Sequence, residues 1–262
     1  MIQIYNNDCR DVIPVLSNDS IDLVITSPPY NVKLGDNKYN KIAYDEYDDS
    51  LPYDEYLSLI ETTFQELYSK VKIGGRVAIN VADTKNGRIP LESDVTQLMV
   101  KNKWLPYSHI IWQKNNIGNR TAWGSWKSPS SPFFLFSFEH ILLFAKETYK
   151  LQYKGETDLE RDEFIQWTNA YWVMSPESKK RVKHPAPFPK ELPYRLIKML
   201  SWKGATVFDP FGGSGTTVAV ANDLDRDGIM CDVSKQYCEY AHSRVKESIL
   251  LNIEEVTNGE TL

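Results

Sequence analysis

Thr206-Val-Phe-Asp-Pro-Phe-Gly-Gly-Ser-Gly-Thr-Thr217 is the stretch on which the reading of this 262-residue chain turns. A short apolar run leads straight into glycines and then into a helical pattern. Glycines tolerate positive φ and let backbone approach a ligand closely. A helix start offers N–H groups that have no partner within the helix. Asp232 closes the next apolar run, 17 residues after Gly215. An acid at the end of a second strand is where a ribose diol is usually held. The pair reads as a nucleoside-cofactor cleft, with Phe211, Gly213, Gly215, Thr216 and Asp232 as candidate binding residues. The turn lacks both the GxGxxG dinucleotide fingerprint and the Gly-Lys-Ser/Thr of a P-loop. Asp209 puts a carboxylate beside it, which repels a pyrophosphate and suits a cationic ligand with an amino-acid tail. S-adenosyl-L-methionine (AdoMet) is such a ligand.

The second loaded segment is Thr26-Ser-Pro-Pro-Tyr-Asn31, directly after the apolar run Ile21–Ile25. Two prolines stop a strand and stiffen the backbone that follows. They fix where Ser27 and Tyr30 point, at the carboxyl edge of a sheet, which is where open α/β sheets bind ligands. Ser27 supplies a hydroxyl, Pro28 a carbonyl and Tyr30 a flat ring, with Pro29 completing the rigid turn. Acceptors for two N–H bonds plus a stacking face suit an exocyclic amine on a planar base.

Working outward, Ile2–Tyr5, Arg76–Val81, Tyr107–Trp112, Phe138–Ala145, Thr206–Phe208 and Gly228–Cys231 also read as strands. Tyr53, Tyr56, Leu57, Ile60, Phe64, Leu67, Tyr68 and Val71 recur at helical spacing, with Asp54 and Glu55 in the first turn and Gly74-Gly75 as the expected stop. Pro189 opens a helix carrying Leu192, Leu196, Met199 and Leu200 on one face, and Ser234 caps a last one. Strands alternating with helices predict an α/β fold, a mostly parallel sheet with helices on both faces. Residues 1–262 are expected to form one catalytic domain. Residues 115–137 and 149–185, rich in Trp, Ser, Pro, Gly and Lys, read as a long excursion from the core.

Composition sets outer bounds. Hydrophobic residues make up 42% and charged residues 25%, which excludes a disordered tail, a fibre or a coiled coil. No run of about 18 apolar residues offers a membrane span, and the start MIQIYNNDCR carries no secretory pattern. Cys9, Cys231 and Cys238 are odd in number and form no CxxC pair, which disfavours disulfides and zinc and points to a reducing cytoplasm. The net charge of −5 hides local bias. Residues 101–130 hold Lys101, Lys103, Lys114, Arg120 and Lys127 with no acid, and residues 176–203 hold eight Lys/Arg against Glu177 and Glu191. Residues 36–66 carry nine acids against two lysines. Two basic segments that converge make a phosphate-holding patch.

The two motifs together resemble those of the DNA amino-methyltransferases of bacterial restriction–modification systems. TSPPYN is similar to their catalytic motif and FDPFGGSGTT to their AdoMet motif, and the order, catalytic motif first, resembles the β-class. The resemblance implies an AdoMet-dependent, Rossmann-like methyltransferase fold with a small inserted target-recognition region, here residues 115–183. It implies cofactor roles for Asp209, Phe211, Gly213, Gly215, Thr216 and Asp232. It also implies them for Asp8 and Cys9, in the stretch that meets the adenine ring, and for His184 and Pro185 in HPAPFP. It gives catalytic roles to Ser27, Pro28, Pro29 and Tyr30. Serine in place of the Asp or Asn usual in adenine-N6 enzymes resembles the cytosine-N4 subgroup.

The implied reaction extrudes a cytosine from double-stranded DNA, stacks it on Tyr30, and aims its N4 amine at the sulfonium methyl by hydrogen bonds to Ser27 and the Pro28 carbonyl, with no metal. Lys114, Arg120, Trp123, Trp126, Lys127, Lys179, Lys180, Arg181 and Lys183 are the expected DNA contacts, and Gln113, Asn115, Asn116 and Asn119 candidates to read base edges. Double-stranded DNA is the expected partner, along with a cognate restriction endonuclease acting on the same site; the chain is a monomer or a homodimer and needs no membrane. Residues 36–50 read as a lid over the site. Competing readings are adenine-N6 methylation, RNA or protein-glutamine methylation (disfavoured by the motif order), and a non-catalytic AdoMet- and DNA-binding module (disfavoured by the intact TSPPYN). Each requires positions near 27 and near 213 to meet around one pocket.

Overall fold

A computed structural model of the chain describes residues 1–32, 47, 49–84, 87–115, 124–134, 136–177, 188–245 and 247–253. In chain order its elements are β1 (Ile2–Tyr5), α1 (Cys9–Val15), β2 (Ile21–Thr26), α2 (Tyr53–Lys70), β3 (Val71–Val81), α3 (Leu91–Lys101), β4 (Trp104–Lys114) and β5 (Phe138–Lys146). There follow α4 (Arg161–Trp167), β6 (Tyr171–Met174), α5 (Glu191–Leu200), β7 (Thr206–Asp209), α6 (Thr216–Asp223), β8 (Asp227–Cys231), α7 (Lys235–Arg244) and β9 (Ser248–Leu251). Among the described residues no helix is long and apolar enough to cross a membrane.

The strands form one sheet in the order β6-β4-β5-β3-β2-β7-β8-β1-β9. All neighbouring pairs are parallel except those made by β5, which runs antiparallel to both β3 and β4. Parallel strands covered on both sides need apolar residues on both faces, and β2 is buried along its whole length. Val24, Val77, Ile79, Leu142, Phe144 and Phe208 point to the side packed by α1, α2 and α3. Leu23, Ile25, Ala78, Ile141, Leu143 and Val207 point to the side packed by α4, α5 and α6. The period-2 alternation of each strand thus feeds two cores.

Two expectations are corrected. α2 ends at Lys70 and the chain enters β3 at once, so Gly74-Gly75 lie inside the strand rather than capping the helix. Gly74 holds φ +78° where the β2–β3 register shifts, and a Cβ there would sit 2.2 Å from the Lys150 carbonyl oxygen. The glycine marks a bulge with a close backbone approach, which has the same sequence signature as a helix stop. Residues 149–177, expected to lie outside the core, supply α4 and β6. β6 extends the sheet beside β4, and Trp167, Trp172 and Met174 are buried. A four-residue strand whose buried and exposed positions are both apolar, YWVM, shows no alternation to read.

The same stretch is locked to the sheet by a buried ion pair. Arg226 is 2% exposed and donates to both oxygens of Asp158, at 2.5 and 2.9 Å, and to the Ser201 carbonyl at 2.9 Å. Burial pushes the Asp158 carboxyl up, but the Arg226 hydrogen bonds and charge outweigh this and hold it below the usual aspartate value. Removing one partner strands the other charge. Arg226→Ala should therefore lower the unfolding free energy by about 3–5 kcal/mol in urea titrations at pH 7; a loss below about 1 kcal/mol would contradict this account.

Candidate active site

The carboxyl ends of β1, β2, β7 and β8 lie side by side at one edge of the sheet, and a cavity of about 520 Å³ opens there. That volume is typical of small-molecule sites. Its walls include Asn7–Arg10 after β1, Ser27 and Pro29 after β2, Pro210 and Phe211 after β7, Asp232–Ser234 after β8, and Glu55, Ser58, Leu59 and Thr62 of α2, with Tyr47, Leu51 and Tyr237 completing them. Positions near 27 and near 213 thus meet, as the sequence required.

Asp209 fastens them together. Its Oδ1 accepts from Thr26 Oγ1 at 2.7 Å and from the Phe211 N–H at 3.2 Å, and its Oδ2 accepts from Thr217 Oγ1 at 2.6 Å. The residue is 1% exposed. Burial pushes its carboxyl up to about 6, against the hydrogen bonds from Thr217, Thr26 and Phe211. Asp209 therefore lies beneath the cavity rather than on its wall, and its oxygens serve the protein. Gly215 follows with φ +71°, starting α6; a Cβ there would be 2.4 Å from the Ala241 Cβ. Thr216 turns away from the cavity, its hydroxyl 3.4 Å from both Ser214 Oγ and the Arg244 guanidinium.

Asp232 is on the wall. Its Oδ2 accepts from the Gly213 N–H at 2.8 Å and its Oδ1 from the Ser234 N–H at 2.9 Å, so the acid also shapes the glycine turn. Asp8 caps α1 and is gripped by Arg10 at 2.7–2.9 Å. Burial raises the Asp8 carboxyl, but those bonds and the Arg10 charge prevail, so its pKa is below the ordinary value. Cys9 also lines the cavity; burial pushes its thiol up to about 12, which leaves it neutral. The wall is thus apolar at Pro29, Phe211 and Leu59, with a carboxylate at each of Asp8, Glu55 and Asp232 and a cation at Arg10. A cationic nucleoside with an amino-acid tail fits that set of donors and acceptors.

The Thr26–Asn31 segment has partners the sequence did not reveal. Ser27 Oγ lies 3.0 Å from the Tyr30 hydroxyl and 3.2 Å from the Asn80 carbonyl oxygen. The Tyr30 hydroxyl reaches Glu139 Oε2 at 2.9 Å, and Asn80 Nδ2 reaches the same oxygen at 2.6 Å and the Tyr30 oxygen at 2.8 Å. Lys114 pairs with Glu139 Oε1. Asn80 and Glu139 are 3% and 7% exposed, on β3 and β5. The one available signal was a polar residue inside each apolar strand pattern, RVAINV and FEHILLFA. Pro28 is buried behind them.

The DNA-contact expectations divide. Lys114 is engaged by Glu139, whereas Trp126, 70% exposed, and Lys127, its Nζ 5.7 Å from the Trp126 ring centre, stand at the surface. Gln113 is bonded to Ser137, and Asn115 to Ser175. In the basic stretch 176–203, the described cations Lys190, Arg195, Lys198 and Lys203 each meet an acid. Asn116, Asn119, Arg120, Trp123, Lys179, Lys180, Arg181, Lys183, His184, Pro185 and most of 36–50 lie outside the described residues.

The mostly parallel sheet with one reversed strand, and the nucleoside cleft at its carboxyl edge, define the AdoMet-dependent methyltransferase class. Within that class the chain belongs to the DNA methylase family, whose model matches residues 21–243. AdoMet is the methyl donor of this family. The chain is 38% identical over 183 residues to the type II methyltransferase M.MjaVI of Methanocaldococcus jannaschii, an alignment covering 69% of this chain and 89% of that protein. In fold it is similar to TTHA0409 of Thermus thermophilus in complex with S-adenosyl-L-methionine, with a TM-score of 0.72 and 24% identity over 96% of this chain and 98% of that one. It is also similar in fold to the PvuII DNA methyltransferase (cytosine-N4-specific), with a TM-score of 0.68 and 20% identity over 97% and 89%.

Asp209 gives a pH test. A carboxyl whose pKa is raised on folding contributes stability that is full below its unfolded value and lost as pH rises through the folded one. The window is therefore 3.8 to about 6. Between pH 4 and pH 7 the stability of the wild type relative to Asp209→Asn should fall by about 3 kcal/mol at most, as read from urea melts across that range. A pH-independent difference would contradict the buried, raised carboxyl.

Proposed function

We propose that this DNA methyltransferase methylates the exocyclic N4 amine of a cytosine turned out of double-stranded DNA. The observation that carries the reading is Ser27, on the cavity wall at the end of β2, with its hydroxyl held between Tyr30 and Asn80. A neutral hydroxyl in place of a carboxylate or amide supports cytosine N4 over adenine N6 as the target.

AdoMet, when bound, supplies a methyl group on a positively charged sulfur. Phe211 and Pro29 offer apolar contact, Asp232 an acceptor for a ribose diol, and Asn7–Cys9 the surface for an adenine ring. The protein's own contribution is orientation. Ser27 Oγ and the Pro28 carbonyl accept hydrogen bonds from the target amine, draw its lone pair out of ring conjugation and fix its direction. The Tyr30 ring, its hydroxyl anchored to Glu139, gives the extruded base a face to stack on, worth about 1–3 kcal/mol. Cys9 takes no covalent part, since its thiol is kept protonated.

The surface part of the expected recognition region, around Trp126 and Lys127, is proposed to read the target. Trp126 and Lys127 offer an aromatic face and a cation at the surface there, suited to a base or sugar and a phosphate respectively. A cognate restriction endonuclease acting on the same site fits this reading.

Labelled AdoMet and plasmid DNA, followed by nucleoside digestion and mass analysis, should yield N4-methylcytosine. Recovery of N6-methyladenine would move the target to adenine, and DNA binding without transfer would favour a non-catalytic module. Ser27→Ala and Tyr30→Ala should each lower transfer by about 100-fold while AdoMet affinity is kept. Normal transfer by both variants would remove them from the reaction.

A further inference from the structure

Three hydroxyl or amide groups and one carboxylate share a small set of protons at the catalytic segment, and counting them fixes the direction of each bond. A phenol has one proton. The Tyr30 hydroxyl has three acceptors in reach: Glu139 Oε2 at 2.9 Å, Ser27 Oγ at 3.0 Å and the Asn80 carbonyl oxygen at 3.3 Å. A carboxylate is the strongest acceptor of the three and here is also the nearest. It is largely shielded from water, with its side chain 9% exposed, which strengthens the bond further. The phenol proton is thereby committed to Glu139. The Tyr30 oxygen then only accepts, from Asn80 Nδ2 at 2.8 Å and from Ser27 Oγ at 3.0 Å. Ser27 becomes the donor, toward Tyr30 or toward the Asn80 carbonyl oxygen at 3.2 Å. Asn80 Nδ2, whose two protons serve Glu139 and Tyr30, is a distant 3.4 Å from Ser27 Oγ. With its own proton turned inward, Ser27 presents lone pairs to the cavity.

We propose that Glu139 is a positioning residue for methyl transfer: by taking the only proton of the Tyr30 phenol it makes Ser27 a donor to the protein and therefore an acceptor for the target amine. This rests on the reading of Ser27 as the amine's acceptor. Lys114 has a matching part. It occupies Glu139 Oε1, so Oε2 is the oxygen left facing Tyr30 and Asn80. A lysine in a basic stretch of sequence thus serves the catalytic segment from beneath. The reversal of β5 makes this reachable. Its first residues, Phe138 and Glu139, come to lie at the carboxyl edge beside the end of β3, where His140 pairs with Val81.

Glu139→Gln tests the proton count with nearly the same shape. Lys114 holds the new amide by its oxygen, and the amide NH₂ then donates toward the Tyr30 oxygen, while Asn80 Nδ2 loses the acceptor it has in the wild type. The phenol proton is released toward Ser27 Oγ and covers the lone pair that the amine needs. In the intact chain, kcat on DNA should drop about 10- to 100-fold, with AdoMet affinity close to wild type. Tyr30→Phe removes the interfering proton, so adding Glu139→Gln to Tyr30→Phe should change kcat by less than about twofold, and the double variant should be faster than Glu139→Gln alone. A Glu139 that merely braced the fold would give additive losses of kcat in both backgrounds. Additive losses, wild-type kcat in Glu139→Gln, or weakened AdoMet binding would overturn the proposal. Ser27→Ala in the same assay separates the two levels: if it keeps full activity, the acceptor reading itself has failed.

Discussion

The buried Asp209 carboxylate is the constraint on which the site depends. It ties the last residue of β2 to the turn after β7 and to the first turn of α6 through three hydrogen bonds of 2.6–3.2 Å. A charge at 1% exposure costs folding free energy unless its lone pairs are filled. That cost makes the geometry specific, because a shift of β2 against β7 would break the bond from Thr26 to Oδ1. The Thr-Ser-Pro-Pro-Tyr turn and the Phe-Gly-Gly-Ser-Gly turn are therefore held in register from below. The cavity above needs no acid of its own at that point.

A second layer of polar groups lies on the other side of Ser27. Asn80, Glu139 and Lys114 come from β3, β5 and β4, three neighbouring strands on the far side of β2 from the nucleoside cleft. The division of labour follows from sheet order. The strands β7, β8 and β1 present backbone amides and acids suited to a nucleoside. The strands β3, β5 and β4 present a hydrogen-bonded network that holds Ser27 and Tyr30. β2 sits between the two groups, which places its terminal residues where donor and acceptor must meet.

The two motifs were legible because each is local. Proline after a strand and glycine before a helix act on their own backbone, so FDPFGGSGTT and TSPPYN could be placed at the sheet edge from spacing alone. The alternation of strands and helices, and the acid at Asp232, were legible for the same reason. The Gly74-Gly75 stop was misplaced because a bulge and a helix cap ask the same residue for the same freedom. The role of Asp209 differed from expectation: a carboxylate beside a ligand turn and one buried under it have the same sequence position.

The sequence alone determined the alternation of strands and helices, the two turns and a hydroxyl-bearing segment at the sheet edge, since propensity, capping and short motifs are carried by neighbouring residues. Only the tertiary structure decided what Ser27 and Tyr30 bond to, and that Lys114 faces a buried acid rather than solvent. Tyr30 and Glu139 are 109 positions apart, and Thr26 and Asp209 are 183 apart. Hydrogen bonds across such distances have no period in the chain, because they depend on which strands the fold sets side by side and on which way each strand runs.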